Sequence, residues 1–441
     1  MRKLKKTLAL LVCLVMMLSL AACGSSQTES TAPAEAASSE AAPAAEKVQL
    51  TFWAGLTGDD LNAMQGMVDE FNASQDGIEV TFYSVSWSEI FSKLEASYDT
   101  DVCADVMLMH VTDIPNYGAR GMLSDMSELA AACGITEADY PASVWAGAFY
   151  DGVQYAIPWD YHHFCLYVNN EMFTAAGLDP TAAFEDEAAF LSACEALKTA
   201  GYSAIGVGAA DAHTYRAWYG LLYQLGGSFC DDAFTTAEFA SPEGEQALAW
   251  LRSLVDKGYA PEHEDDAQSD WLSGKVAIRF DGPWFTPTAV KSDIDFSVIP
   301  FVKLSDTGAV WGSSHTLTVP NRTNRSAEKT EAINTFYSWM ISHGYEWGAK
   351  SGQIPANYNV AASDEYKACD IYQYQKTFID TAEWVHYEPL CTADSEFGAD
   401  NALSPVLTAV TNIVSGNSTD IAAELQTAAD SVNDIFAEYN S

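Results

Sequence analysis

The sequence predicts an α/β protein built in two lobes, and three observations lead there. The chain has 441 residues, while a single hydrophobic core stops growing at about 250–300. Hydrophobic residues make up 48% and charged residues 19%, the balance of a globular chain rather than a disordered one. Through the body, short apolar runs alternate with apolar stripes at helical spacing, the pattern of a parallel sheet with covering helices.

The elements follow in order. Leu50 to Trp53 is a short strand, with Gly55 and Gly58 as turn signals behind it. Leu61, Met64, Val68 and Phe71 recur at helical spacing. Ile78, Val80 and Phe82 alternate as a strand, and Ile90, Leu94 and Tyr98 mark a helix. Asp105 to Met109 is a short buried strand, so this stretch reads β-α-β-α-β. Further on, Tyr155 to Pro158 and Phe164 to Val168 are strand-like and flank Trp159 to His163. Helical stripes come next, at Phe190, Cys194, Leu197 and at Ala247, Leu251, Leu254. Val276 to Phe280 is a strand stopped by Asp281-Gly282-Pro283; Phe296 with Val298 to Pro300, and Leu317 to Pro320, are two more. The remainder is mostly helical, with stripes such as Ile333, Phe336, Met340 and Ile421, Leu425, Val432, Ile435.

The first residues read as an address. Arg2, Lys3, Lys5 and Lys6 precede an apolar run from Leu8 to Leu20. That run is shorter than the roughly 20 residues a spanning helix needs, so 1–22 reads as a secretory signal peptide. Residues 24–46 contain no aromatic, Val, Ile, Leu or Met. Such a segment buries too little apolar surface to offset its ordering entropy, so 23–47 reads as a disordered tether.

Charge excludes several partners. There are 61 acidic and 21 basic residues, for a net charge of -40. Nucleic-acid binding rests on cations neutralising phosphates, so no nucleic-acid partner is expected. A basic surface for anionic membranes is missing as well. Nine cysteines are present; setting aside Cys13 and Cys23 leaves seven, an odd number with no CxxC pair. That speaks against a zinc ribbon or a full disulfide framework and leaves room for one or two disulfides. His162-His163 looks like a metal pair, but neighbours on a strand point to opposite faces, and no metal is expected there. The acid run Glu262 to Asp266 lacks the order of a calcium loop. Gly206 to Asp211 starts like a dinucleotide fingerprint, yet Asp211 stands where its third glycine belongs. No P-loop, GxSxG or HExxH occurs. No cofactor is expected, but a glycosidase needs only two carboxylates at a set separation, so the missing motifs do not exclude an enzyme.

Several stretches together resemble a family. They are LTFWAG (50–55), ADVMLM (104–109), GVQYAIPWDYHHFCLYVNNEMFTAAGLDP (152–180), KVAIRFDGPW (275–284) and GQIP (352–355). Their order and spacing resemble the extracellular solute-binding proteins of ABC importers, family 1, whose best-known relative is the maltose-binding protein. Leu20-Ala21-Ala22-Cys23 likewise resembles the lipobox of bacterial lipoproteins, which implies acyl chains on Cys23. The resemblance implies a two-lobed periplasmic-binding-protein-like fold, type II, with a hinge between the lobes. Lobe 1 would hold 48–160 plus 312–357, and lobe 2 would hold 161–311 plus 358–441. It also implies a protein that binds and does not cleave, and so is not an enzyme: a monomer that gives a carbohydrate to the permease subunits of an ABC transporter, held outside the cell membrane by its lipid.

Loops beyond the C-terminal ends of strands line the crevice in open α/β sheets. On the family's pattern they nominate Trp53 and Gly55, His110 and Asp113, Asp160 and Tyr161, Trp284, and Trp311 with Ser313. Trp87 and Trp218 join them as aromatic candidates. Indole faces suit the C–H face of a pyranose, and carboxylates and hydroxyls suit its hydroxyl groups. Each has a packing alternative, the tryptophans as plugs of the core and the acids as members of a generally acidic surface. Competing functions are a receptor for a polyamine or other small cation, a cell-surface glycoside-degrading enzyme, and a sensory protein.

Overall fold

The computed structural model describes residues 46–207, 212–261 and 266–440. The leader, Cys23, nearly all of the tether, most of the 206–211 segment and most of the acid run at 262–266 lie outside the described residues.

Strand β1 (Val48–Ala54) alternates as its sequence requires. Leu50, Phe52 and Ala54 enter one core and Trp53 enters another on the opposite face. β2 (Ile78–Ser84) and β3 (Val106–His110) run parallel to it on either side. The helices Gly58–Ser74 and Trp87–Ser97 make the connections. β6 (Ala156–Pro158) and β13 (His315–Thr318) complete a five-stranded sheet in the order β2-β1-β3-β13-β6. β13 is antiparallel to both of its neighbours, so the sheet is mixed rather than purely parallel. It also begins two residues before the apolar run that announced it. Between β3 and β6 lies a small hairpin, β4 (Phe149–Tyr150) and β5 (Val153–Gln154). Phe52, Phe71 and Phe336 interlock edge to face at 5.8 and 5.0 Å, joining β1 to the helices Gly58–Ser74 and Ala327–Ser342. Each such ring contributes about 1.5–3 kcal/mol of transfer free energy.

A second sheet holds β8 (Cys165–Asn169), β9 (Ser203–Ile205), β10 (Val276–Asp281) and β11 (Phe296–Ile299), in the order β11-β8-β10-β9. The helices Ala212–Gln224, Pro242–Asp256, Pro405–Val414 and Ile421–Tyr439 bury their apolar faces in one core with it. Two of them start with a serine cap followed by proline: Ser241 accepts from the Gly244 N–H and Ser404 from the Leu407 N–H.

The chain passes from the first sheet to the second through β7 (Asp160–His163), and returns through β12 (Val310–Ser313). The stretch read as a flank of two strands is therefore a strand itself. β7 and β12 pair antiparallel, with Ser313 opposite His162 and Gly312 opposite His163. With β14 (Ile354–Pro355) and β15 (Val385–Tyr387) they form a third sheet, β14-β7-β12-β15. All seven thiols from Cys103 to Cys391 are free, four of them buried. Among the described residues, no helix is long and apolar enough to cross a membrane.

Candidate functional site

A cavity of about 550 Å³ opens where segments from all three sheets meet. Thr57, Asp60, Trp87, Ser88, His110 and Thr112 reach it from beyond the ends of β1, β2 and β3. Trp284 follows β10 on a single turn of 3₁₀ helix, and Arg216 projects from the helix Ala212–Gln224. His162, Trp311 and Ser313 come from the crossing strands, and His315 from the first turn of β13. Gln353, Glu388 and Asp400 complete the lining.

Three indoles and three imidazoles form most of the wall. Trp87 lies 4.3 Å from the His110 ring and stacks on His315 at 6.0 Å. Trp284 meets His162 edge-on at 5.2 Å, and Trp311 carries the Arg216 guanidinium 4.2 Å from its ring centre. Two glycines make room for the rings. A Cβ on Gly55 would come within 2.1 Å of the Trp87 ring, and one on Gly282 within 2.0 Å of the Trp284 ring. Gly282 has extended backbone with φ −87°, so it serves to clear the indole rather than to turn the chain.

The polar groups pair among themselves. Arg216 bridges to Asp400 at 2.6 Å. Gln353 donates to Asp60 at 2.9 Å. Beneath the floor, Asp160 accepts from the His315 ring at 2.8 Å, the His315 backbone N–H at 2.9 Å and the Trp347 indole at 2.8 Å. Burial alone would raise the Asp160 carboxyl, but His315 and His162 hold it well below the usual carboxylate range. Burial also opposes the charged form of His315, yet the Asp160 carboxylate outweighs it and raises that imidazole. Burial lowers His162 to about 4 and His110 to about 3, with His315 adding to both shifts. Burial raises Asp60 to about 7.

Of the residues nominated from the sequence, Trp87, His110, Trp284, Trp311 and Ser313 line this cavity. The others do not. Trp53 is still inside the β1 ladder, 3% exposed, and its ring lies under the Lys93 ammonium at 3.9 Å. Trp218 is fully buried and donates its indole N–H to the Gly244 carbonyl at 3.1 Å. Tyr161 pairs with Ile354 and shares a face with His163, away from the cavity. Asp113 accepts the His110 backbone N–H at 3.1 Å, and burial raises its carboxyl to about 8. Gly55 lies under Trp87 rather than on the wall, and Asp160 lies one layer behind it. His162 and His163 do point apart: His163 hydrogen-bonds Thr381 at 2.9 Å while His162 faces the cavity.

Residues 66–372 match the family model described as bacterial extracellular solute-binding protein. The chain belongs to that family. This extracellular solute-binding protein is 26% identical over 365 residues to the diacetylchitobiose binding protein DasA of Streptomyces coelicolor, across 77% of this chain and 79% of that one. Among solved structures, the GacH receptor of Streptomyces glaucescens, determined unliganded and with acarbose, superposes with a TM-score of 0.74 at 18% identity, covering 89% of this chain and all of that one. UgpB of Mycobacterium tuberculosis, determined with glycerophosphocholine, gives 0.76 at 17% identity, over 90% of this chain and all of that one. The fold is therefore α/β and of the two-lobed periplasmic sugar-binding type. The family and these relatives are substrate-binding proteins, not enzymes.

Reading the sequence alone missed Asp60, His162, Arg216, His315, Gln353, Glu388 and Asp400. One available signal was the two-residue spacing of Asp160 and His162, which puts both on one face of a strand.

Proposed function

We propose that this protein captures a sugar or oligosaccharide between its lobes and delivers it to the permease of an ABC importer. The observation that carries this reading is the wall of the cavity, in which Trp87, Trp284 and Trp311 alternate with Asp60, His162, Ser313, His315 and Gln353. Aromatic faces take the C–H face of a sugar ring, and the intervening groups both donate to and accept from its hydroxyls. A volume of about 550 Å³ is in the range of small-ligand sites, roughly 300–1,000 Å³. DasA and GacH, named for or solved with saccharide ligands, support the same class. A small cation such as a polyamine is the second reading, because Asp60, Glu388 and Asp400 also face the cavity. Against it, Asp400 is already paired with Arg216. A thermal-shift screen of chito-, malto- and other oligosaccharides beside polyamines decides between them, since a ligand that binds only the native state raises the melting temperature. Sugars are expected to give the shift; shifts from polyamines alone would replace the first reading with the second.

Lobe 1 is taken as 48–160 with 312–357, lobe 2 as 161–311 with 358–441, and the hinge as β7 and β12. Small-angle scattering should give a smaller radius of gyration at saturating ligand than without it. An unchanged radius would count against closure. Outside the described residues, Cys23 is taken as the lipid-bearing first residue of the mature chain, anchoring it to the outer face of the cell membrane. Loss of residues 1–22 would remove four of the 21 basic residues and no acidic one, taking the net charge from -40 to -44. Cys23→Ala should move the protein from the membrane to the soluble fraction or leave the precursor uncut. Unchanged processing and fractionation would remove the anchor from the reading.

A further inference from the structure

We propose that Asp160, His162 and His315 form a binding site for a transition-metal dication of the zinc class at the floor of the cavity. One ligand atom from each residue lies within 4.8 Å of the other two, and all three residues are buried. Asp160 and His162 are two apart on β7 and so share a face; His315 opens β13 beside them. His162 Nδ1 lies 3.4 Å from Oδ1 of the Asp160 carboxylate, and His315 Nδ1 lies 2.8 Å from its other oxygen, Oδ2.

A tetrahedral ion with bonds of about 2.0–2.2 Å holds its donors about 3.3–3.5 Å apart. The first distance already meets this. The second runs to the other oxygen, so the ion would engage both carboxylate oxygens, taking the place of the proton between Asp160 and His315 while that ring withdraws by about half an ångström. Two imidazoles and one carboxylate suit zinc, cobalt, nickel or copper rather than magnesium or calcium, which prefer oxygen donors.

The surroundings fit a metal better than a plain hydrogen-bonded cluster. The His315 ring, the His315 backbone N–H and the Trp347 indole already satisfy the carboxylate. The second imidazole, His162, is aimed at the same group at 3.4 Å, beyond the ordinary hydrogen-bond range of about 2.7–3.2 Å. The two bonds to backbone and indole hold the carboxylate in place, which is the work of the outer shell around a metal. Among the described residues neither imidazole makes a hydrogen bond through Nε2. His162 and His315 reach the cavity and Asp160 does not, so a fourth position faces the space where a water or a hydroxyl of a ligand would lie.

The test is a titration of the purified metal-free protein with cobalt chloride at neutral pH, with no sugar added. One equivalent should bring up the visible d–d bands of four- or five-coordinate cobalt and raise the melting temperature, and zinc should displace them. In His162→Ala, and in the milder His162→Gln, the bands should vanish and cobalt should bind at least tenfold more weakly. A folded wild-type protein that shows only the spectrum of aqueous cobalt overturns the proposal. Bands of full strength in either variant overturn it too, by placing the metal elsewhere. Because no sugar takes part, neither result bears on the carbohydrate reading.

Discussion

Alanine in place of Asp160 should cost about 3–5 kcal/mol of folding stability, the scale on which a buried charge pair is lost when one partner goes. The side chain is fully buried and accepts three close hydrogen bonds, from the His315 ring, the His315 backbone and the Trp347 indole. Removing it leaves three buried donors without an acceptor, and each unmet donor adds a desolvation cost. It also removes the carboxylate that raises the His315 imidazole against the opposing effect of burial. Urea unfolding with a chelator present, so that no bound metal contributes, reads the effect. The midpoint should fall with the slope unchanged. Asp160→Asn keeps the shape and one acceptor, so it should recover part of the loss. A change below about 1 kcal/mol, the worth of an ordinary hydrogen bond, would mean that the carboxylate does not hold this cluster together.

Trp284→Ala should weaken sugar binding by roughly 1–3 kcal/mol, the scale of one aromatic contact, or about one to two decades in Kd. The ring is half-buried at the cavity wall, set edge-on to His162 and close over Gly282, on a 3₁₀ turn whose φ is fixed at Pro283. A ring already fixed gives up little entropy on binding. Trp284→Phe should restore part of the affinity because a stacking face survives. Calorimetric affinity and melting temperature, taken on the same samples, separate a wall residue from a core plug. An alanine variant that is destabilised but binds normally would take Trp284 out of the site.

Much of the fold was legible because burial leaves a period. Phe52 and Val80 alternate in their strands, and Met64, Val68 and Phe71 repeat on one helix face, so those elements could be read directly. His110 and Trp284 were legible as residues of the cavity wall because both come at the end of a strand or just beyond it. Trp53 failed by one position, since the β1 ladder runs on through Ala54 and turns its side chain into a core. Trp218 failed because a tryptophan on a helix buried all round carries no sign of which side meets the cavity. Arg216 on that same helix, and Glu388 and Asp400 in irregular segments, lie beyond any periodicity. His315 escaped because the apolar run that announces β13 starts at Leu317. The sequence offers a metal reading of His162 only with its neighbour His163, whereas the proposed site joins it to residues two positions back and more than 150 positions on.

The Asp160 cluster divides the site into parts that can and cannot change cheaply. His162 and His315 belong both to the cavity wall and to the buried hydrogen-bonded knot that joins β7, β13 and the helix Gly344–Ser351. Trp87 and Trp284 stand at or near the starts of helical segments after their strands, and among the described residues no side-chain hydrogen bond ties either of them to the rest of the fold. A change at these aromatic walls therefore leaves the buried hydrogen-bonded knot intact. A change of floor draws on the stability of the whole protein, so relatives that diverge in the sugar they take would vary at the walls first and keep the floor.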